Sequence, residues 1–298
     1  MTLSRRQLLT TSAAISAAAG LVPAGAAARN LKSHLPADLA WPGPQMLDAF
    51  VKARSSLRDE ITIGWVDATT YAVIGGATVP LYRLLAATWQ KHHRVSDAVF
   101  DGKNLEVAFY LDVNTATRLE KLVMPRTGAE VTVPNYRAGP SASKIVVEES
   151  LHDDFKMARE TQGGGNFFST GTSYREQKLL QAQRDGDDFL IRQMLGTRVM
   201  AEGSEKPVFF YHEWTINRAP WRDIMNPRVA STEVEVQYSS IAAFRPWMQM
   251  QAVDGHTLQT GRGGKVTAAE QLPPKLLAMC RQYHPDLIAD AARIFSAG

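Results

Sequence analysis

Pro207-Val208-Phe209-Phe210-Tyr211-His212-Glu213-Trp214-Thr215-Ile216-Asn217, followed by Arg218, is the stretch on which the fold turns. Aromatic and β-branched residues dominate it and no glycine interrupts it, so it reads as a strand. Side chains alternate faces along a strand. Val208, Phe210, His212, Trp214 and Ile216 therefore share one face, and Phe209, Tyr211, Glu213 and Thr215 share the other. The first set is the more apolar and is expected to face the interior. That places His212 in a core or a pocket, as a packed residue with a satisfied hydrogen bond, a ligand contact, or an acid or base.

Similar stretches lie on either side. ITIGWVDATTYAVIGG ends on Gly75-Gly76, a hairpin signal, and TVPLYRLLAATWQKHHRV follows it. FDGKNLEVAFYLDVNT, with a turn expected at Asp101-Gly102, leads to RLEKLVMP and EVTVPNYR. DDFLIRQMLGTRVM precedes the opening stretch across a hairpin at residues 201–206, and TEVEVQYSSIAAF and PWMQMQAVDGHTLQTG come after it. SKIVVEESL allows another strand, whereas residues 153–187 are polar and carry Gly163-Gly164-Gly165. That segment reads as a long lid-like loop with a short helix through Tyr174 to Arg184.

Helical signals are confined to the ends. Met46, Phe50, Val51 and Leu57 recur at near-helical spacing, and Pro273-Pro274 opens a helix that places Leu276, Met279, Cys280 and Tyr283 on one face until His284-Pro285 breaks it. About nine strands without alternating helices exclude a βαβ architecture. The expected fold is mainly β: a single antiparallel β-barrel of lipocalin or calycin type, or a closed sandwich, covered from outside by helices at the N- and C-terminal ends and with an interior able to hold one small ligand.

The first residues carry an address. Ser4-Arg5-Arg6-Gln7-Leu8-Leu9 precedes a mildly apolar run, Ala13 to Val22, and then the small residues Ala24 to Ala28. This is the order of a twin-arginine export signal, which sets residues 1–28 apart from one β-rich domain over 29–298 and points to a periplasmic or secreted protein that meets the twin-arginine translocase. The run is too short and too polar for a membrane anchor, and nothing after it is long and apolar enough to span a bilayer. Loss of residues 1–28 lowers Lys plus Arg from 33 to 31 against 30 acidic residues, a net charge of +1. A balance so near neutral argues against a nucleic-acid partner.

Several segments taken together resemble the bacterial family known as domain of unknown function 1838. They are DAFVKARSSL, the Trp65 and Tyr71 pair in GWVDATTYAVIGG, LEVAFYLDVNT, the VPNYR turn, FRPWMQM and GHTLQTGR. The similarity extends from about Asp48 to Leu287. It implies one domain and a secreted address, and supplies no catalytic residue.

Candidate chemistry is read from the residues alone. The chain has 7 histidines, but His92 and His93 are adjacent and point to opposite faces, and no metal-ligand spacing appears. Gly163-Gly164-Gly165 lacks the spacing of a phosphate cradle, no GxSxG elbow is present, and the single Cys280 falls on an apolar helix face as an inert thiol. What remains is His212 as general acid or base, with Tyr71 and Arg245 as its catalytic companions. Trp65, Tyr110, Tyr136, Arg137, Trp214, Tyr238 and Trp247 are candidate ligand contacts, and Arg137 or Arg245 suits a carboxylate or phenolate.

This set points to an enzyme of lyase or isomerase type that needs no cofactor and acts by acid/base catalysis on a hydrophobic, aromatic small molecule. A formaldehyde-releasing cleavage of a plant-derived aromatic is one instance. The alternative is a periplasmic binding or carrier protein that uses the same pocket without turnover. A weaker third reading is a structural component of an envelope complex.

Overall fold

The computed structural model describes residues 44–145, 148–156, 170–200, 205 and 207–296. The twin-arginine segment and the Gly163-Gly164-Gly165 run lie outside the described residues. The elements are α1 (Pro44–Arg54), β1 (Ile61–Ile74), β2 (Ala77–Ser96), β3 (Val99–Leu111), β4 (Lys121–Val123), β5 (Glu130–Thr132), β6 (Tyr136–Ile145), β7 (Glu148–Lys156), β8 (Thr170–Asp185), β9 (Asp188–Met200), β10 (Phe209–Pro220), α2 (Trp221–Met225), β11 (Val234–Ala242), β12 (Gly255–Val266), α3 (Pro274–Tyr283) and α4 (Pro285–Ser296).

The protein is mainly β. Ten strands form one antiparallel sheet in the order β6-β3-β2-β1-β12-β11-β10-β9-β8-β7, and β4 and β5 form a separate two-stranded sheet. The two edge strands, β6 and β7, are consecutive in the chain, and Ile145 and Glu148 are only three residues apart. Three residues span at most about 10 Å, so the sheet curls until its edges approach at that end. No ladder joins β6 to β7 among the described residues, and closure into a hydrogen-bonded barrel is not observed.

Glycines permit the curl. A Cβ on Gly261 would lie 2.2 Å from the Asp67 carbonyl oxygen, and one on Gly263 would lie 2.3 Å from that of Trp65. Both face β1 across its ladder with β12, where the strands approach too closely for any side chain.

Apolar residues on the two faces build separate cores. On the convex side Leu85, Ala87, Trp89, Leu105, Val107 and Phe109 pack under α3 and α4 through Leu276, Met279, Cys280 and Leu287. On the concave side α1 is enclosed at one end. Its Met46, Leu47, Phe50 and Val51 pack against Phe100, Ile145, Phe189, Ile191 and Val234, which come from four different strands. A helix apolar on nearly all sides is stable only when surrounded. At the opposite end Phe244, Met248 and Met250 cluster with Leu81, Tyr82, Met124 and Val131.

Three expectations are corrected. Residues 170–185 form β8 instead of a loop with a short helix over Tyr174 to Arg184. Pairing with β9 and β7 overrides a sequence poor in β-branched residues, and the turn that ends β8 has Gly186 at φ +58°. Asp101-Gly102 lies within β3, where a Cβ on Gly102 would meet the Lys91 carbonyl oxygen at 1.9 Å. The turn before β3 falls at Asp97-Ala98 instead. Finally, the N-terminal helix plugs the concave interior and does not lie outside it.

Candidate active site

The strand quoted at the outset presents the face opposite to the expected one. Phe209, Tyr211, Glu213, Thr215 and Asn217 line a cavity of about 430 Å³ on the concave side of the sheet. His212 and Trp214 point outward, stacked with ring centroids 6.1 Å apart, and Trp214 is 37% exposed. The imidazole covers Gly196, its cross-strand partner on β9, where an added Cβ would meet Nδ1 at 3.1 Å. The apolar set did not mark the interior because the interior on this side is a polar cavity, while the outer aromatics pack on one another.

Eight of the ten strands contribute to the wall, and Ala53 and Arg54 of α1 contribute to the floor. Of the residues expected to meet a ligand, Tyr110, Tyr136, Tyr238, Arg245 and Trp247 come together here. Trp65 reaches the wall beside Gly264 while packing partly on the convex core. His212, Trp214, Tyr71 and Arg137 do not line it. Tyr71 follows a β-bulge at Thr70, and Thr70 is the one that turns inward, accepting a hydrogen bond from Gln259 Nε2 at 3.0 Å. Arg137 is held in a bidentate pair with Asp286 of α4 at 3.0 and 2.7 Å.

Two carboxylates that sequence reasoning missed face the cavity. Glu106 sits on β3 among alternating apolar residues, and burial pushes its carboxyl up to about 7. Arg245 opposes the shift, and the like charge of Glu213 adds to it. Glu213 accepts a hydrogen bond from the Tyr211 hydroxyl at 2.6 Å. The Tyr211 and Tyr238 hydroxyls are 2.9 Å apart, and the Tyr238 hydroxyl donates to Gln259 Oε1 at 2.9 Å or to Ser240 at 3.1 Å. Polar side-chain contacts thus run from Glu213 through Tyr211, Tyr238 and the Gln259 amide to Thr70. The tyrosines stay neutral: burial raises Tyr110, Tyr211 and Tyr238, and Tyr136 is raised first by the neighbouring charge of Glu106 and then by burial.

The signal for Glu106 was present in LEVAFYL, where one acid interrupts an alternating strand and faces away from Leu105, Val107 and Phe109.

Arg245 enters from the turn after β11. The following proline holds it extended, at φ −63° and ψ 142°, and its guanidinium lies 5.2 Å from the Phe209 ring centroid and 6.0 Å from that of Tyr211. Trp247, two residues on, joins Tyr82 and Tyr110 in an aromatic wall with centroid separations of 5.0 to 6.1 Å.

Lys265 also lines the cavity, at the far end of β12, and burial lowers it to about 7. Its Nζ contacts the Lys52 carbonyl oxygen, the Ser55 carbonyl oxygen at 2.7 Å and the Ser231 hydroxyl at 2.7 Å. As an ammonium it donates one N–H to each of the three. Lys265 thus bolts the C-terminal end of α1 to β12. Cys280 is buried under the convex face, its thiol pushed up to about 12 by burial. Among the described residues no group of three or more His, Cys, Asp and Glu could hold a metal ion, and no helix is long and apolar enough to cross a membrane.

No curated protein matches the chain. Among solved structures, a DUF1329 family protein from Desulfovibrio piger is 10% identical, overlaps 73% of this chain and 89% of its own, and superposes with a TM-score of 0.16. Residues 202–293, which include Tyr211, Glu213, Tyr238, Arg245 and Gln259, match the family DUF1838, described as a protein of unknown function, and support the resemblance read from the sequence.

Proposed function

We propose that the protein is an enzyme of lyase or isomerase type that works by acid/base catalysis on a hydrophobic, aromatic small molecule in the concave cavity, with Glu106 as the acid/base group. The observation that carries this reading is a carboxyl that faces an interior cavity beside tyrosine hydroxyls, where removal from water raises its pKa to about 7. A group poised there gives and takes a proton near neutral pH. Neutral tyrosine hydroxyls nearby supply donors to an oxygen that gains negative charge as a bond to carbon breaks. Such chemistry calls for no redox centre, and a formaldehyde-releasing cleavage of an aromatic falls within it. The curled sheet serves as an open barrel around the ligand, and the twin-arginine segment supports action in the periplasm or outside the cell.

The test is mass spectrometry of aromatic monomers and dimers incubated with purified protein without added cofactor, alongside Glu106→Gln. A protein-dependent product that falls by about 100-fold or more in the variant agrees with a catalytic acid/base. Full turnover in Glu106→Gln overturns the assignment. Ligands that bind wild type unchanged support a carrier instead.

A further inference from the structure

We propose that the Arg245 end of the cavity is an anion subsite that seats the carboxylate of a small aromatic acid. The inference rests on the reading of this cavity as the ligand site and adds the chemical class of the ligand.

Arg245 is enclosed by protein yet keeps surface toward the cavity. Among the described residues its guanidinium has no hydrogen-bond acceptor and no ion-pair partner; its contacts are the rings of Phe209 and Tyr211. An interior cation with five N–H donors and nothing to receive them is costly to maintain. Neither of the acids that line the cavity is paired with it. Glu106 forms no ion pair with it, and Glu213 is engaged by Tyr211. The hydroxyls of Tyr82, Tyr110 and Tyr136 also line this space, and tyrosines are neutral there. They offer O–H donors to an incoming oxygen and add no competing negative charge.

The form of the anion follows from what surrounds it. The guanidinium fork matches a planar carboxylate in a bidentate pair. Among the described residues that line the cavity, Arg54, Lys144 and Lys265 belong to the end closed by α1, which leaves Arg245 as the cation at this end. A monoanion suits that charge better than a phosphate dianion. The walls beside Arg245 are Phe209, Tyr211, Tyr82, Tyr110 and Trp247, which pack on an aromatic ring, and about 430 Å³ is far more than an inorganic ion fills.

Benzoate and its neutral isostere benzamide are suitable probes, titrated calorimetrically into wild type, Arg245→Gln, Arg245→Lys and Glu106→Gln. Wild type and Glu106→Gln should bind benzoate at least tenfold more tightly than benzamide. Arg245→Gln should lose that preference while still binding benzamide, and Arg245→Lys should keep part of it. Thermal melts give an independent readout. Removing an unpaired interior cation should leave the ligand-free Arg245→Gln protein as stable as wild type or more so, with the benzoate-induced rise in Tm gone. Equal binding of the two probes to wild type, or a benzoate preference that survives Arg245→Gln, overturns the subsite and leaves the role of Glu106 intact. Failure of wild type to bind either probe at millimolar concentration overturns the subsite as well. Loss of turnover in Glu106→Gln is scored separately, so the two readings fail on different measurements.

Discussion

At the residue scale the decisive feature is parity. His212 and Glu213 are neighbours on one strand, and the sheet hands the interior to Glu213 and Tyr211 and the outside to His212 and Trp214. His212→Gln should therefore leave turnover within about twofold of wild type, since the change lies on the face away from the cavity. Glu106 makes the opposite prediction and also carries a pH signature. Its folded-state pKa, about 7, lies above the ordinary 4.5. The folded protein therefore holds a proton that the unfolded chain releases, and stability falls as pH rises from about 4.5 to 7. Glu106→Gln should remove that penalty, which is at most about 3 kcal/mol above pH 7, and denaturant titrations at pH 4.5 and pH 8 would read it. An unchanged difference between the two pH values would count against a buried, ionising Glu106. The acid was legible in LEVAFYL only as an anomaly. What it faces depends on strands far away in sequence.

At the scale of elements, α1 shows how polar contacts fix a buried helix. Its last turn ends among Ser55, Ser56, Thr62 and His92, all buried. The carbonyls of Lys52 and Ser55 are held by Lys265, and Lys52 Nζ in turn donates to the Ile224 and Asn226 carbonyl oxygens at 2.7 and 2.9 Å. Lys265→Met removes one donor from each of those carbonyls, which keep the Thr232 N–H at 3.2 Å and the Ser231 hydroxyl at 2.8 Å, and should cost about 1 to 3 kcal/mol in a denaturant titration. His92 bonds to Ser55 at 3.1 Å through Nδ1 and to Ser143 at 3.1 Å through Nε2, joining β2, β6 and the segment after α1. Burial lowers its pKa to about 4 from 6.5, with the charges of Arg54 and His93 adding to the effect. The unfolded chain therefore binds the proton more readily, and stability drops as pH falls from about 6.5 toward 4. His92→Gln should flatten that acid limb, and a limb of unchanged steepness would place the sensitivity elsewhere. Periodicity sufficed for α1 and α3, whose apolar spacing and, for α3, proline breaks are local signals. It failed for β8, whose strand state comes from pairing on both sides.

At the scale of the whole molecule, a ten-stranded sheet curls around a helix at one end and a cluster of aromatic and methionine side chains at the other, and the cavity is the space left between them. The plug should then be worth more to the fold than a surface helix. Phe50→Ala removes a fully buried ring from its centre and should lower stability by about 3 to 5 kcal/mol, measured by chemical denaturation. A loss under about 1 kcal/mol would mean that the helix is dispensable to the curl. The sequence by itself determined the strand-rich composition, the antiparallel class, the terminal helices and the aromatic stock of the site, including Tyr110, Tyr136, Tyr238, Arg245 and Trp247. These follow from local propensity, turn chemistry and breaks that act within a few residues. Only the tertiary structure decided which face of each strand is inside, that Glu106, Glu213 and Arg245 line one cavity, and that His212, Tyr71 and Arg137 lie apart from it. The physical reason is that a strand's two faces are equivalent until a sheet curls, and the direction of the curl is set by β1 and β12 approaching across glycines and by the helix that fills the concave side.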